Sequence, residues 1–306
     1  MFTAVNLAGK LGKVNQVSCG SWHASAVTES GQIFIWGHKK AAGNAVGTST
    51  SDGSLSGLPR LLSFTAELRI AGVSCGHNYT YAWTVDGQVF SWGSGHCGVL
   101  GHGSDKDFLQ PTKVNKLSEV TVKSIGAGHS HCGIVTADGL LFTVGKGRDG
   151  ALGLGKSLLN DVFYPTKCST DEDIIAVSCS KGDHHGHTLA LTKEGKVLSW
   201  GDGYKGKLGL GHHNVMYSPS AIPQEYFSGE KVVSLAAGGI HSCAATLTGK
   251  VYTWGCGSDG RLGHKDGEKH RYLFRSDIPR LVEDLPKNSN YVAVSSSYYH
   301  TAALID

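Results

Sequence analysis

The sequence predicts an all-β protein, a β-propeller of about six four-stranded antiparallel blades with the last blade incomplete. Three observations predict it: a phrase that recurs six times, a proline at one fixed place in five of the copies, and the absence of any helical periodicity. In the first copy Val17-Ser18-Cys19-Gly20 leads to His23, Thr28-Glu29-Ser30-Gly31 follows, and Ile33-Phe34-Ile35-Trp36-Gly37 closes the phrase. The histidine position is held by His23, His131, His187, His241 and His300, with Tyr79 in the second copy, at steps of 56, 52, 56, 54 and 59 residues. A period of that size marks a repeat array, and it runs over nearly the whole chain. Residues 1–306 therefore read as a single propeller domain.

The second copy shows the four strands. Val73-Ser74-Cys75-Gly76 is a strand of small residues, and Thr80–Thr84 is the next. Asp86-Gly87 supplies a hairpin turn, because glycine accepts positive φ without steric cost. Gln88-Val89-Phe90-Ser91-Trp92 alternates with period two, as a half-buried strand does. Pro111-Thr112-Lys113-Val114 is the fourth strand, and Pro59, Pro165, Pro219 and Pro279 open its equivalents. Proline lacks a ladder donor, so this strand belongs at the sheet edge. The small-residue strand then lies innermost, beside the crowded axis.

The 306 residues carry a net charge of +3, with 17% charged and 40% hydrophobic residues and 43 glycines, a composition that fits a folded chain with many tight turns. No polybasic tail, signal peptide or membrane-length apolar run is present, which predicts no direct nucleic-acid binding and no membrane insertion. Of eight cysteines, Cys19, Cys75 and Cys179 alternate with Ala127, Ala237 and Ser296 at one repeat position, the pattern of small packing residues in a reduced cytoplasmic or nuclear protein.

Several signals resemble chemistry. Gly-x-Gly-x-x-Gly occurs at Gly93-Gly95-Gly98 and at three equivalent places, but each copy runs into a proline-led strand where a dinucleotide site needs a helix. The repeated histidines are spread around the ring, so convergence on a metal is not expected, and each is read as a buried imidazole bonding backbone groups after the inner strand. His184, His185 and His187 sit at an insertion, since Cys179 to His187 takes eight steps where other copies take four; His212 and His213 lie in the next loop. No zinc-type spacing accompanies them, no Gly-x-Ser-x-Gly elbow is present, and no catalytic residue, metal or cofactor is predicted. The candidate partner-binding residues lie on two loops. Asp183, His184 and His185 are at the insertion, and Lys269, His270, Arg271, Tyr272, Phe274 and Arg275 lie on a connection of 16 steps from Gly263 to Pro279, against 10 to 12 elsewhere.

The combined phrase Gly-x-Val-Phe-x-Trp-Gly, Gly-x-Leu-Gly, Pro-x-x-Val and Val-Ser-Cys-Gly-x-x-His resembles the repeat of the regulator of chromosome condensation family. Complete copies run over residues 87–131, 139–187 and 195–241. The resemblance implies a propeller, typically of seven blades, and a chain that begins at the Trp-Gly strand. Here Phe2-Thr3-Ala4-Val5-Asn6 instead aligns with the fourth strand Pro111–Asn115. Two arrangements follow: six blades that nearly close, with residues 2–5 beside the C-terminal strands, or an open arc of a seven-bladed ring. For function the resemblance implies a protein-interaction scaffold, with guanine-nucleotide exchange on a small GTPase of the Ran type as the alternative, and also includes an ultraviolet-B photoreceptor, which needs a tryptophan cluster at a dimer face. Five of the six tryptophans, all but Trp22, fall in strands, which speaks against that last role.

Overall fold

A computed structural model describes residues 12–38, 56–63, 68–183, 185–265, 274–286 and 289–306. Five four-stranded antiparallel sheets and one two-stranded sheet follow each other along the chain. The first blade holds β1 (Val14–Cys19), β2 (His23–Thr28), β3 (Ile33–Gly37) and β4 (Ser56–Leu61). The second holds β5 (Ile70–Cys75), β6 (Tyr79–Thr84), β7 (Val89–Gly93) and β8 (Phe108–Lys113). The third holds β9 (Val122–Ala127), β10 (His131–Thr136), β11 (Leu141–Gly145) and β12 (Val162–Cys168). The fourth holds β13 (Ile174–Cys179), β14 (His187–Thr192), β15 (Val197–Gly201) and β16 (Met216–Ala221). The fifth holds β17 (Val232–Ala237), β18 (His241–Thr246), β19 (Val251–Cys256) and β20 (Arg275–Leu281). The two-stranded sheet is β21 (Tyr291–Ser296) with β22 (Thr301–Ile305). Helical turns among the described residues are short 3-10 segments such as His96–Gly98 and Gln224–Phe227.

The small-residue strands are innermost and the proline strands outermost, as expected. The prolines, however, lie inside the fourth strands and do not open them: Pro111 is the fourth residue of β8. They are tolerated because the register with the third strand shifts there, between Ser91 opposite Thr112 and Gly93 opposite Phe108. The glycine of each Trp-Gly pair has a backbone reason. Gly93 sits at φ 107°, and a Cβ there would meet Asn78 O at 2.5 Å, so only glycine fits the end of β7.

Apolar side chains gather between blades, one cluster per junction. Val27, Ile33, Val73 and Trp92 fill the first junction, and Ala245, Val251, Tyr291 and Val294 fill the last. Serines of the inner strands add a circumferential lock: Cys75 N–H donates to Ser18 Oγ at 2.9 Å, Ala127 N–H to Ser74 Oγ at 3.0 Å and Ala237 N–H to Ser178 Oγ at 3.0 Å. The array is thus held by nearest-neighbour blade contacts, the logic of repeat proteins. Among the described residues the first inner strand is less covered than the second. Val73 of the second inner strand is 1% exposed, whereas the equivalent Val17 of the first is 65% exposed. Residues 2–5, the segment aligned with a fourth strand, lie outside the described residues.

Candidate functional site

The repeated histidines are structural, and the chain places them at blade junctions. His23 Nε2 lies 2.8 Å from Thr80 Oγ1, His131 Nε2 2.8 Å from Thr188 Oγ1, His187 Nε2 2.9 Å from Ser242 Oγ and His241 Nε2 3.0 Å from Thr301 Oγ1. Each partner is a hydroxyl of the next blade, not the backbone group the sequence reading expected. The reason is that these hydroxyls already donate to carbonyls, Thr188 to Ala151 O, Ser242 to Lys207 O and Thr301 to Arg261 O. The imidazole must therefore donate through Nε2, which leaves Nδ1 bare. The Nδ1 atoms of His23, His187 and His241 are buried without a partner. Burial accordingly lowers His23, His131 and His241 from 6.5 to about 4, and His187 well below 6.5. Tyr79 serves the same junction differently, donating its hydroxyl to His131 O at 3.0 Å. His300 has no blade beyond it among the described residues and is exposed.

Loops between first and second strands and between third and fourth strands share one face of the arc. On it, around blade four, the insertion and its neighbours form a network of charges and rings. His185, at φ 59°, lies with Nδ1 3.1 Å from Asp202 Oδ2 and stacks on Tyr204 with ring centres 5.1 Å apart. Asp202 also pairs with Lys207 Nζ at 2.6 Å and accepts the Tyr204 N–H at 2.7 Å. Lys207 is fully buried, and this desolvation lowers its ammonium below its ordinary value, with Asp202 opposing the shift. Burial alone would raise the Asp202 carboxyl, but the Lys207 charge and the hydrogen bonds hold it below the usual carboxylate range. Asp149 of the third blade fixes the insertion by accepting Gly186 N–H at 3.1 Å and Lys146 Nζ at 3.0 Å.

The patch continues into blade five. Asp277 packs against Gly206, whose added Cβ would meet Asp277 Cα at 2.7 Å, and takes His213 Nε2 at 2.8 Å and Arg275 Nε at 3.5 Å. The structure thus brings His185 and Arg275 onto one surface with Tyr204, Lys205, His213 and Asp277, residues that the sequence left scattered. Phe274 is tied to the blade beneath it. It is half-buried, its carbonyl accepts Gly257 N–H at 2.8 Å, and its ring meets His264 edge-on at 6.0 Å, so it anchors the long connection. Asp183 is exposed at the rim of the axial opening. His184, Lys269, His270, Arg271 and Tyr272 lie outside the described residues.

The sequence reading missed Lys181. It stands where other copies carry Ser21, His77, His129, Gly239 and Tyr298, and its side chain reaches into the axial opening and donates to Ala127 O at 2.5 Å and Cys75 O at 3.3 Å. The eight-step insertion was the signal that this copy differs. A cavity of about 680 Å³ lies there, lined in part by Lys181, His77 and His129. The two imidazoles lie with ring centres 4.0 Å apart and planes tilted by 31°, and burial lowers His129 to about 4. Among the described residues no group of three or more His, Cys, Asp or Glu side chains is placed to hold a metal ion, and no helix is long and apolar enough to cross a membrane.

Four-stranded blades joined by inter-blade histidines and Gly-x-Leu-Gly carbonyls define a propeller of regulator-of-chromosome-condensation repeats. The profile of the RCC1-like domain matches residues 3–303, and the chain belongs to that family. It is 33% identical over 293 residues to the ultraviolet-B receptor UVR8 of Arabidopsis thaliana, covering 95% of this chain and 63% of the receptor. It is 35% identical over 295 residues to the human E3 ubiquitin-protein ligase HERC2, covering 96% of this chain but 6% of the ligase. The chain therefore spans less than two thirds of these relatives. Human WBSCR16 superposes with a TM-score of 0.81 at 25% identity, covering 96% of this chain and 72% of that one. Prp20p of Saccharomyces cerevisiae, at 20% identity, shares the fold with a TM-score of 0.78, covering 95% of this chain and 68% of its own.

Proposed function

We propose that this chain is a protein-binding scaffold without covalent chemistry of its own, and that its working surface is the loop face of blades four and five. The single observation that carries this reading is the continuity of that face: His185, Tyr204, Asp277, His213 and Arg275 form one charged and aromatic surface over the ion pair of buried Lys207 with Asp202. Aromatic and arginine side chains on loops held by a rigid base are what protein interfaces use as anchors. The partner-binding role of Asp183 at the rim, and of the segment 269–272, belongs to the same proposal. Cytoplasmic or nuclear residence accompanies it.

The second reading is guanine-nucleotide exchange on a small GTPase of the Ran type. The family resemblance supports it, and the fold is shared with Prp20p, whose crystal structure was described together with its binding to Gsp1p and histones. Exchange needs no bond made or broken by the scaffold; loops on one face would loosen the Mg²⁺ and phosphate site of the bound GTPase. Affinity capture from eukaryotic lysate with and without EDTA separates the two readings. Enrichment of a small GTPase only in EDTA, followed by accelerated GDP release, establishes exchange. A partner captured in both conditions, and lost with the double variant Tyr204→Ala and Arg275→Glu, establishes the scaffold on this face. A partner that the double variant retains removes the face from the proposal.

A further inference from the structure

Two lysines of blade four are drawn out of water, and only one of them has a counter-ion. Lys207 pairs with Asp202 at 2.6 Å. Lys181 Nζ meets main-chain carbonyls instead, Ala127 O of the third blade and Cys75 O of the second. Among the described residues no carboxylate pairs with it, and no Asp or Glu side chain lines the axial cavity into which it reaches. The neighbouring thiols supply no counter-charge either, since burial pushes Cys75 up to about 11 and Cys179 up to about 12, and both stay protonated at neutral pH. Carbonyl dipoles solvate an ammonium but do not neutralise it, and a charge held away from water is costly until it is paired. Burial accordingly lowers Lys181 from its ordinary value.

Two neutral donors line the same cavity. His77 and His129 hold the repeat position that Lys181 holds in blade four, so blades two, three and four each send one such side chain to the axis. His77 Nδ1 lies 2.7 Å from Ser21 Oγ, and His129 Nδ1 lies 2.7 Å from Ser130 Oγ. A hydroxyl that donates into Nδ1 leaves the ring proton on Nε2. Neither Nε2 has a hydrogen-bond partner among the described residues. Burial lowers both imidazoles below 6.5, so neither adds a positive charge that would repel the ammonium at neutral pH. The one acid that acts on them is Asp183 at the rim, whose charge opposes an anion entering the opening.

We infer that the axial opening binds the phosphate group of a small molecule, with Lys181 Nζ as the charged donor and the Nε2–H groups of His77 and His129 beside it. A phosphate monoester suits this set because it brings the missing negative charge and three terminal oxygens to three donors, where a carboxylate brings two oxygens. The cavity of about 680 Å³ has room for a ligand of metabolite size. This site goes beyond the loop face of blades four and five.

Calorimetry on the full chain in chloride buffer tests this with inorganic phosphate, glycerol 3-phosphate and a phosphoserine peptide as probes. Saturable binding of both small probes is expected, weakened by about tenfold or more in Lys181→Met, which removes one charged hydrogen bond. Without phosphate that variant should keep its thermal midpoint, because an apolar chain replaces an ammonium that has no counter-ion. Asp183→Asn should tighten binding by removing a like charge from the rim. In the unaltered chain, phosphate should shift the imidazole resonances of His77 and His129 in NMR spectra, a readout that needs no variant. Absence of saturable binding by the small probes, equal binding by Lys181→Met, weaker binding by Asp183→Asn, or imidazole resonances that phosphate leaves in place overturns the proposal. So does a preference for the phosphoserine peptide over both small probes, which would give the opening to a phosphorylated protein.

Discussion

Acidification should unfold this protein through its inter-blade histidines. In His131, His187 and His241 the Nε2 proton is committed to a hydroxyl of the next blade, His23 Nε2 makes the same contact with Thr80, and a second proton on any of these imidazoles would enter a buried site. The native pKa is about 4 for His23, His131 and His241 and lies well below 6.5 for His187. The unfolded chain titrates near 6.5. The native value is depressed, so the stabilisation is fully present above about pH 6.5 and is lost as pH falls toward 4, where the unfolded state binds protons that the native state refuses. Each histidine contributes a slope of about 1.4 kcal/mol per pH unit across that window. From pH 7 to about pH 5.5 the loss integrates to about 1.2 kcal/mol per histidine, or about 5 kcal/mol for four. A whole domain is stable by only about 5–15 kcal/mol, so this decides whether the array holds together.

Urea unfolding at several pH values measures it, with the buried Trp92, Trp200 and Trp254 as the fluorescence signal. The expected result is a steep fall in unfolding free energy below pH 6.5, and a His131→Gln variant whose slope is shallower by about one proton, since the amide can still donate to Thr188. A stability that changes by less than about 1 kcal/mol over the window, or a variant with the wild-type slope, would refute the reasoning.

Three further outcomes follow from the packing. Asp202→Ala strips the partner from the fully buried Lys207 and should destabilise by about 3–5 kcal/mol, whereas Lys207→Met with Asp202→Asn should cost far less, as chemical denaturation will record. Gly255→Ala places a Cβ 2.8 Å from His241 Cα at φ 98°, so a thermal melt should show a loss of about 1–3 kcal/mol or more. Ser178→Ala leaves Ala237 N–H without its acceptor, which should cost about 1–3 kcal/mol and speed exchange of that amide with deuterated solvent.

What the sequence disclosed was the part of the structure that repeats. Six copies of one phrase locate all the inner strands, and the proline of the fourth segment separates the outer strand from the inner one, because a missing N–H has the same consequence in every copy. The turn glycines were legible for the same reason. Interactions between copies were not. Nothing local says that Ser178 waits for an amide 59 residues away, or that a histidine donates to a hydroxyl of the following blade, since each needs two repeats placed side by side. The candidate face shows the same division. Its loops stood out by length, but the Lys207–Asp202 pair beneath them comes from a position where other copies carry Val99 and Ala151, so it looked like ordinary variation within a turn. The most informative departures are therefore the ones that break a repeat at a place the repeat itself explains. The insertion that carries Lys181 breaks it at the axis, where every other copy takes four steps from the inner strand to the histidine position, and Ile305 stands where the other second strands end in threonine. In both, five other blades state what the position does when it is filled in the usual way, and the altered residue states what this chain does in its place.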